Sequence, residues 1–108
     1  MSDQTSRVTQ NTRYVVRHLP GPKWEPGLEF RGQSGIEVHV EHYGQWHAEG
    51  KLELGGPFLL PDSGGMMVTI KGIALEELEA FVAADPAVQS GLLEYFIYPW
   101  YTAMERGA

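Results

Sequence analysis

The sequence predicts an α+β domain: four strands and two helices in the order β-α-β-β-α-β, forming an antiparallel sheet with both helices on one face. Three observations carry this. Strand-like runs of alternating or continuous apolar residues are interleaved with two stretches of helical spacing. Clusters of Gly and Pro separate them. The length of 108 residues, with 43% hydrophobic content, supplies one core and one domain.

Residues 1–12 are mostly Ser, Thr, Gln and Asn with isolated charges and read as a mobile tail, so the domain is placed at residues 13–104. From Arg13 the chain alternates, with Tyr14, Val16 and His18 on one side and Val15 and Leu19 on the other, until Pro20-Gly21-Pro22 ends the first strand. Residues 23–34 hold Trp24, Leu28 and Phe30, which a plain linker does not need, so an ordered loop over an apolar pocket is expected. Ser34 with Glu37 three residues later reads as a capping box opening a helix that runs to Glu49, where Gly50 stops it. Its apolar stripe is expected at Ile36, Val40, Tyr43 and His47, with Glu41, Gln45 and Glu49 toward water. Residues 51–54 and 58–60 read as one strand interrupted at Gly55-Gly56-Pro57, where a backbone approaches something closely. The turn Pro61-Asp62-Ser63-Gly64-Gly65 then leads into a strand over residues 66–70.

A second helix is predicted over residues 75–84, with Leu75, Leu78, Phe81 and Val82 on one stripe and Glu76, Glu77 and Glu79 near its positive N-terminal end. Asp85-Pro86 breaks or re-caps it, and an apolar strand follows from Leu92 into Pro99-Trp100-Tyr101. This order is that of a ferredoxin-like layer pair. In the last strand Leu93, Tyr95 and Ile97 share one face and Phe96 and Tyr98 the other, yet the two helices cover only one. A second copy of the sheet is the simplest cover, which predicts a homodimer.

Composition excludes several classes. Without cysteine there is no disulfide framework, thiolate zinc site or thiol nucleophile, and a reducing cytoplasmic setting suits the chain. Eight Lys and Arg against fourteen Asp and Glu, with no basic block, argue against a nucleic-acid partner. No apolar run approaches the roughly 20 residues of a membrane span, and the polar start does not resemble a signal peptide. The chain has no G-x-G-x-x-G or P-loop pattern and no nucleophile elbow around Ser34, Ser63 or Ser90, so nucleotide cofactors and serine hydrolysis are not expected.

The residues left to carry chemistry are few. Trp46 lies seven residues after His39 and returns to within about 20° of it around a helix, so His39 belongs to the inward stripe. His42 and His47 fall to either side, a poor arrangement for a metal, and none is expected. Asp85 before Pro86 reads either as a turn or cap residue, or as a carboxylate that bonds a ring nitrogen of His39 and raises the basicity of the other. Gly56 and Pro57 offer a place where a ligand could meet backbone amides, and Tyr14, Trp46 and Tyr95 are candidates for pocket walls.

Taken together, the helix carrying His39, the run His47-Ala-Glu-Gly50-Lys-Leu-Glu-Leu-Gly-Gly56-Pro57, the hairpin, the segment Leu75-Glu-Glu-Leu-Glu-Ala-Phe-Val-Ala-Ala-Asp85-Pro86, Gly91 and the apolar strand to Pro99 resemble the YCII-related domain family. The resemblance implies a dimeric ferredoxin-like α+β barrel, a small-molecule pocket between sheet and helices, and a histidine–aspartate acid/base pair falling on His39 and Asp85. Ile36 stands where members often carry a basic residue, which weakens the case for an anionic substrate. The function expected is a cofactor-independent proton transfer with elimination or isomerisation on a small aromatic or lactone-like molecule. A non-enzymatic small-molecule-binding or accessory module is the rival reading, and a haem-assisted oxidase or a monooxygenase on the related dimeric barrel is the third.

Overall fold

The computed structural model describes residues 11–107. The elements are β1 (Thr12–Pro20), a 3-10 turn (Phe30–Gly32), α1 (Ile36–Ala48), β2 (Leu52–Pro57), β3 (Gly65–Thr69), α2 (Leu75–Ala83), α3 (Pro86–Gln89) and β4 (Leu93–Tyr101). The strands form one sheet in the order β2-β3-β1-β4, and every neighbouring pair is antiparallel. This is the ferredoxin-like arrangement that the element order implies. No helix among the described residues is long and apolar enough to cross a membrane.

β1 is central, which explains its burial. Val16 and His18, two residues apart on the helix-facing side, are buried, whereas Arg17 between them is exposed. β4 is an edge strand and continues through Pro99 to Tyr101, since an edge strand tolerates proline's missing N–H. β1 begins at Thr12, one residue before the expected start, and residues 1–10 of the expected tail lie outside the described residues. At the other end Glu105 binds both Arg13 and Lys71, so ordered contacts continue past residue 104.

Two clusters make the core. Val16, Trp46, Leu78 and Val82 pack between α1, α2 and the sheet, with Tyr14, Tyr95, Ile97 and Phe81 against them. Trp24, Ile36, Ala87, Leu92 and Leu93 form the second, beside the loop of residues 21–35. That loop is ordered as expected. Trp24 is buried within it, and the Gln33 amide accepts from Glu25 N–H and donates to the carbonyls of Glu25 and Leu28.

Three local expectations are corrected. The capping box does not form: Gly35 at φ 88° is the N-cap of α1, with no side-chain cap bond, because the chain enters through a turn in which Ile36 N–H bonds the Gln33 carbonyl. The buried stripe of α1 is Ile36, His39, Tyr43 and Trp46, so Val40 and His47 sit on its flank, Val40 being 55% exposed. β2 runs unbroken through Gly55-Gly56-Pro57; its irregularity lies between Leu52 and Leu54, and Phe58–Leu60 belong to the exposed β2–β3 loop.

Candidate functional site

A cavity of about 500 Å³ lies between α1 and the β1, β2 and β3 side of the sheet. His18, Phe30, His39, Tyr43, Gly56 and Pro57 are among its walls. Val40, Gly44 and His47 also line it, so the predicted stripe positions Val40 and His47, which flank the buried stripe of α1, are turned to the cavity. Among the described residues no lysine or arginine lines it, and the acidic residue in its lining is Glu53.

His39 comes from the inward face of α1 and Asp85 from the junction of α2 and α3. They lie 46 positions apart in sequence, yet His39 Nδ1 is 2.5 Å from Asp85 Oδ2. Both are fully buried, His39 at 2% and Asp85 at 0% exposure. Asp85 serves two contacts at once, one on each oxygen. Oδ1 accepts the Ala87 N–H at 2.9 Å as the N-cap of α3, with Pro86 at the first helical position, while Oδ2 faces His39. Burial pushes the Asp85 carboxyl up, but the His39 hydrogen bond and charge and the Ala87 amide outweigh it and hold the group below its ordinary value. The carboxylate is therefore ionised, His39 Nδ1–H donates to it, and Nε2 is the ring nitrogen available to a ligand.

His18 is the participant that the sequence reading overlooked. Its Nδ1 lies 3.3 Å from the Glu94 carbonyl and its Nε2 2.7 Å from Tyr43 Oη. The His18 and His39 rings meet edge to face at 4.9 Å between centroids, and Tyr43 meets His39 at 5.1 Å. Burial, followed by the nearby His39 charge, lowers the His18 pKa to about 4. Burial also raises the Tyr43 pKa, reinforced by the Asp85 charge. The alternation of β1 puts His18 on the same side as Val16, but which element that side meets is set by tertiary packing.

The other candidates separate. Gly56 and Pro57 line the cavity, and a Cβ added at Gly56 would meet nothing within 4 Å. Tyr14, Trp46 and Tyr95 do not line it; they belong to the first core cluster, where Trp46 stacks on Phe81 at 4.1 Å. His42 stacks on Phe81 at 4.0 Å and its Nε2–H donates to the Phe81 carbonyl at 2.6 Å, clipping α1 to α2. Among the described residues the groups close enough to share a cation are instead His18, His39 and Asp85, with ligand atoms within 4.8 Å of one another. Both Asp85 oxygens and both His18 nitrogens already have hydrogen-bond partners, so a cation there would displace existing bonds.

No protein-family model matches the chain, and no curated protein does so. Among solved structures it is similar to the 5-chloro-2-hydroxyhydroquinone dehydrochlorinase of Burkholderia phenoliruptrix AC1100, in complex with 2,5-dihydroxybenzoquinone. The TM-score is 0.54 at 21% identity, covering 82% of this chain and 92% of that one. At this identity the likeness concerns the fold.

Proposed function

We propose that the protein is a member of the YCII-related family and a cofactor-independent enzyme of the lyase or isomerase type, with His39 as proton carrier and Asp85 as its positioning partner. The observation that carries this reading is the buried 2.5 Å His39–Asp85 hydrogen bond in the wall of a cavity. An ionised carboxylate on Nδ1 fixes the imidazole tautomer and balances the imidazolium that forms when Nε2 takes a proton. That proton comes from a hydroxyl or acidic C–H of the ligand, and the electron pair left behind expels a leaving group or shifts a double bond. Positioned proton transfer contributes about 10² to 10⁴ in rate, enough for an activated ring. The Gly56 backbone is the proposed contact for developing negative charge.

The proposed assembly is a homodimer through the sheet face opposite the helices. Phe96, Tyr98 and Trp100 alternate along that side of β4 and are 53%, 48% and 46% exposed, a larger aromatic surface than one chain can cover. Each protomer then keeps its own cavity on the helix side, and the proposed setting is the cytoplasm.

The dehydrochlorinase likeness supplies a test substrate. Chloride release from 5-chloro-2-hydroxyhydroquinone and from related chlorinated dihydroxybenzenes is followed anaerobically with wild type, His39→Gln and Asp85→Asn. The expected result is release above buffer by wild type and a loss of about 10² or more in His39→Gln. Turnover that survives His39→Gln refutes the proton-carrier role. Ligand binding without turnover in any of the proteins leaves the small-molecule-binding module as the reading.

A further inference from the structure

The cavity wall carries a second polar pair that the proton-transfer reading does not use, His18 with Tyr43. The direction of its hydrogen bonds follows from donor and acceptor chemistry. The Glu94 carbonyl can only accept, so its contact with His18 requires the proton on Nδ1. A neutral His18 then presents a lone pair at Nε2, and the Tyr43 hydroxyl must donate to it across 2.7 Å. That commits the Tyr43 proton and leaves its oxygen as an acceptor. Asp85 takes the His39 Nδ1 proton, so His39 presents an accepting Nε2 in its neutral form.

We propose that His18 and Tyr43 are a specificity-determining pair that makes this wall a double acceptor, Tyr43 Oη beside His39 Nε2, so that the cavity selects uncharged ligands presenting hydroxyl donors over their ether or ketone counterparts. The inference rests on the reading that this cavity is the ligand site and adds to it the hydrogen-bonding polarity of the ligand. Tyr43 is the recognition residue and His18 positions it.

The pair is suited to recognition rather than proton shuttling. Burial keeps the imidazole neutral down to about pH 4 and moves the phenol away from ionisation, so both hold their protons across the neutral range. His18 and Tyr43 are 2% and 3% exposed, so water competes little for the hydroxyl. A ligand ether oxygen placed against two acceptors gains no bond and loses its own hydration. The absence of lysine and arginine from the described lining removes the usual anchor for a carboxylate or phosphate.

The test uses catechol and 1,2-dimethoxybenzene as probes, followed by NMR shifts of the folded protein, with the His18 ring ¹⁵N shifts recorded in the same samples. Wild type is expected to carry the His18 proton on Nδ1 and to bind the diol more tightly than the diether. Tyr43→Phe, which removes one oxygen, is expected to shrink that preference by a factor of about 3 to 10, the worth of one neutral hydrogen bond. A proton on His18 Nε2 in wild type overturns the proposal without any variant, because Tyr43 would then be the donor to the cavity. Equal affinity for both probes, no binding of catechol, or an unchanged preference in Tyr43→Phe also overturns it. These outcomes are independent of chloride release: loss of turnover chemistry with the preference intact refutes the proton-transfer reading alone, and the converse refutes only the recognition pair.

Discussion

Lowering the pH from neutral should destabilise this protein through His18, by an amount the structure allows one to calculate. The unfolded imidazole takes up its proton near the ordinary value of 6.5, whereas the folded one, buried and facing His39, does so at about 4. Between those values the unfolded chain binds more protons than the native one, so stability falls as pH drops through this window. At about pH 4.5 the difference in proton binding costs about 2.5 kcal/mol relative to about pH 7.5, because each tenfold difference in proton affinity between the two states is worth about 1.36 kcal/mol. The Asp85 carboxyl, held below 3.8, remains ionised there and adds its own loss only at lower pH. Urea titrations followed by tryptophan fluorescence, on wild type and His18→Gln at both pH values, isolate the effect. Wild type should lose about 2.5 kcal/mol more than the variant, displacing its urea midpoint by about 1 to 2 M more. Equal losses in the two proteins would refute the reasoning, and so would a His18 NMR titration centred near 6.5.

Further outcomes follow from particular contacts. Gly64→Ala places a Cβ against the His18 carbonyl and 3.2 Å from Leu19 Cα at a φ of +73°, so thermal unfolding should show a loss of about 3 kcal/mol or more. Gly56→Ala meets nothing within 4 Å and should leave the melting temperature almost unchanged while weakening probe binding in the cavity it narrows. Asp62 accepts from Trp24 Nε1 at 2.9 Å and from Gly27 N–H at 3.1 Å; Asp62→Ala should loosen this tie and speed proteolytic cleavage of the 58–64 loop. In the proposed dimer Tyr98 is buried at the centre of the outer face, so Tyr98→Asp should convert a dimer to a monomer in sedimentation velocity.

His39 was legible in the sequence because Trp46, seven residues on, fixed the inward side of α1, and both are buried at 2% and 5% exposure. Asp85 was legible because Pro86 after it marks a helix start, and a capping carboxylate has a second oxygen to offer. Tyr14 and Tyr95 lie away from the cavity walls for a different reason. Both share the helix-facing side of the sheet, but the cavity opens from His18 toward β2 and β3, whereas Tyr95 pairs with His18 from the β4 side and Tyr14 lies four residues back along β1. A period of two specifies a face and carries no information about position along it.

The sequence by itself determined the element order and the inward turn of His39. These depend on spacing within a segment and on Pro and Gly at its borders, such as Pro20-Gly21-Pro22 and Gly50. Only the tertiary structure decided which segments meet. The order β2-β3-β1-β4 sets β1 in the centre, and α1 packed across it brings Tyr43 to His18 over 25 positions and His39 to Asp85 over 46. The proton direction on the cavity wall was settled at the same level, because it depends on the Glu94 carbonyl, an atom present in every residue and therefore silent in sequence until the sheet register places it beside His18.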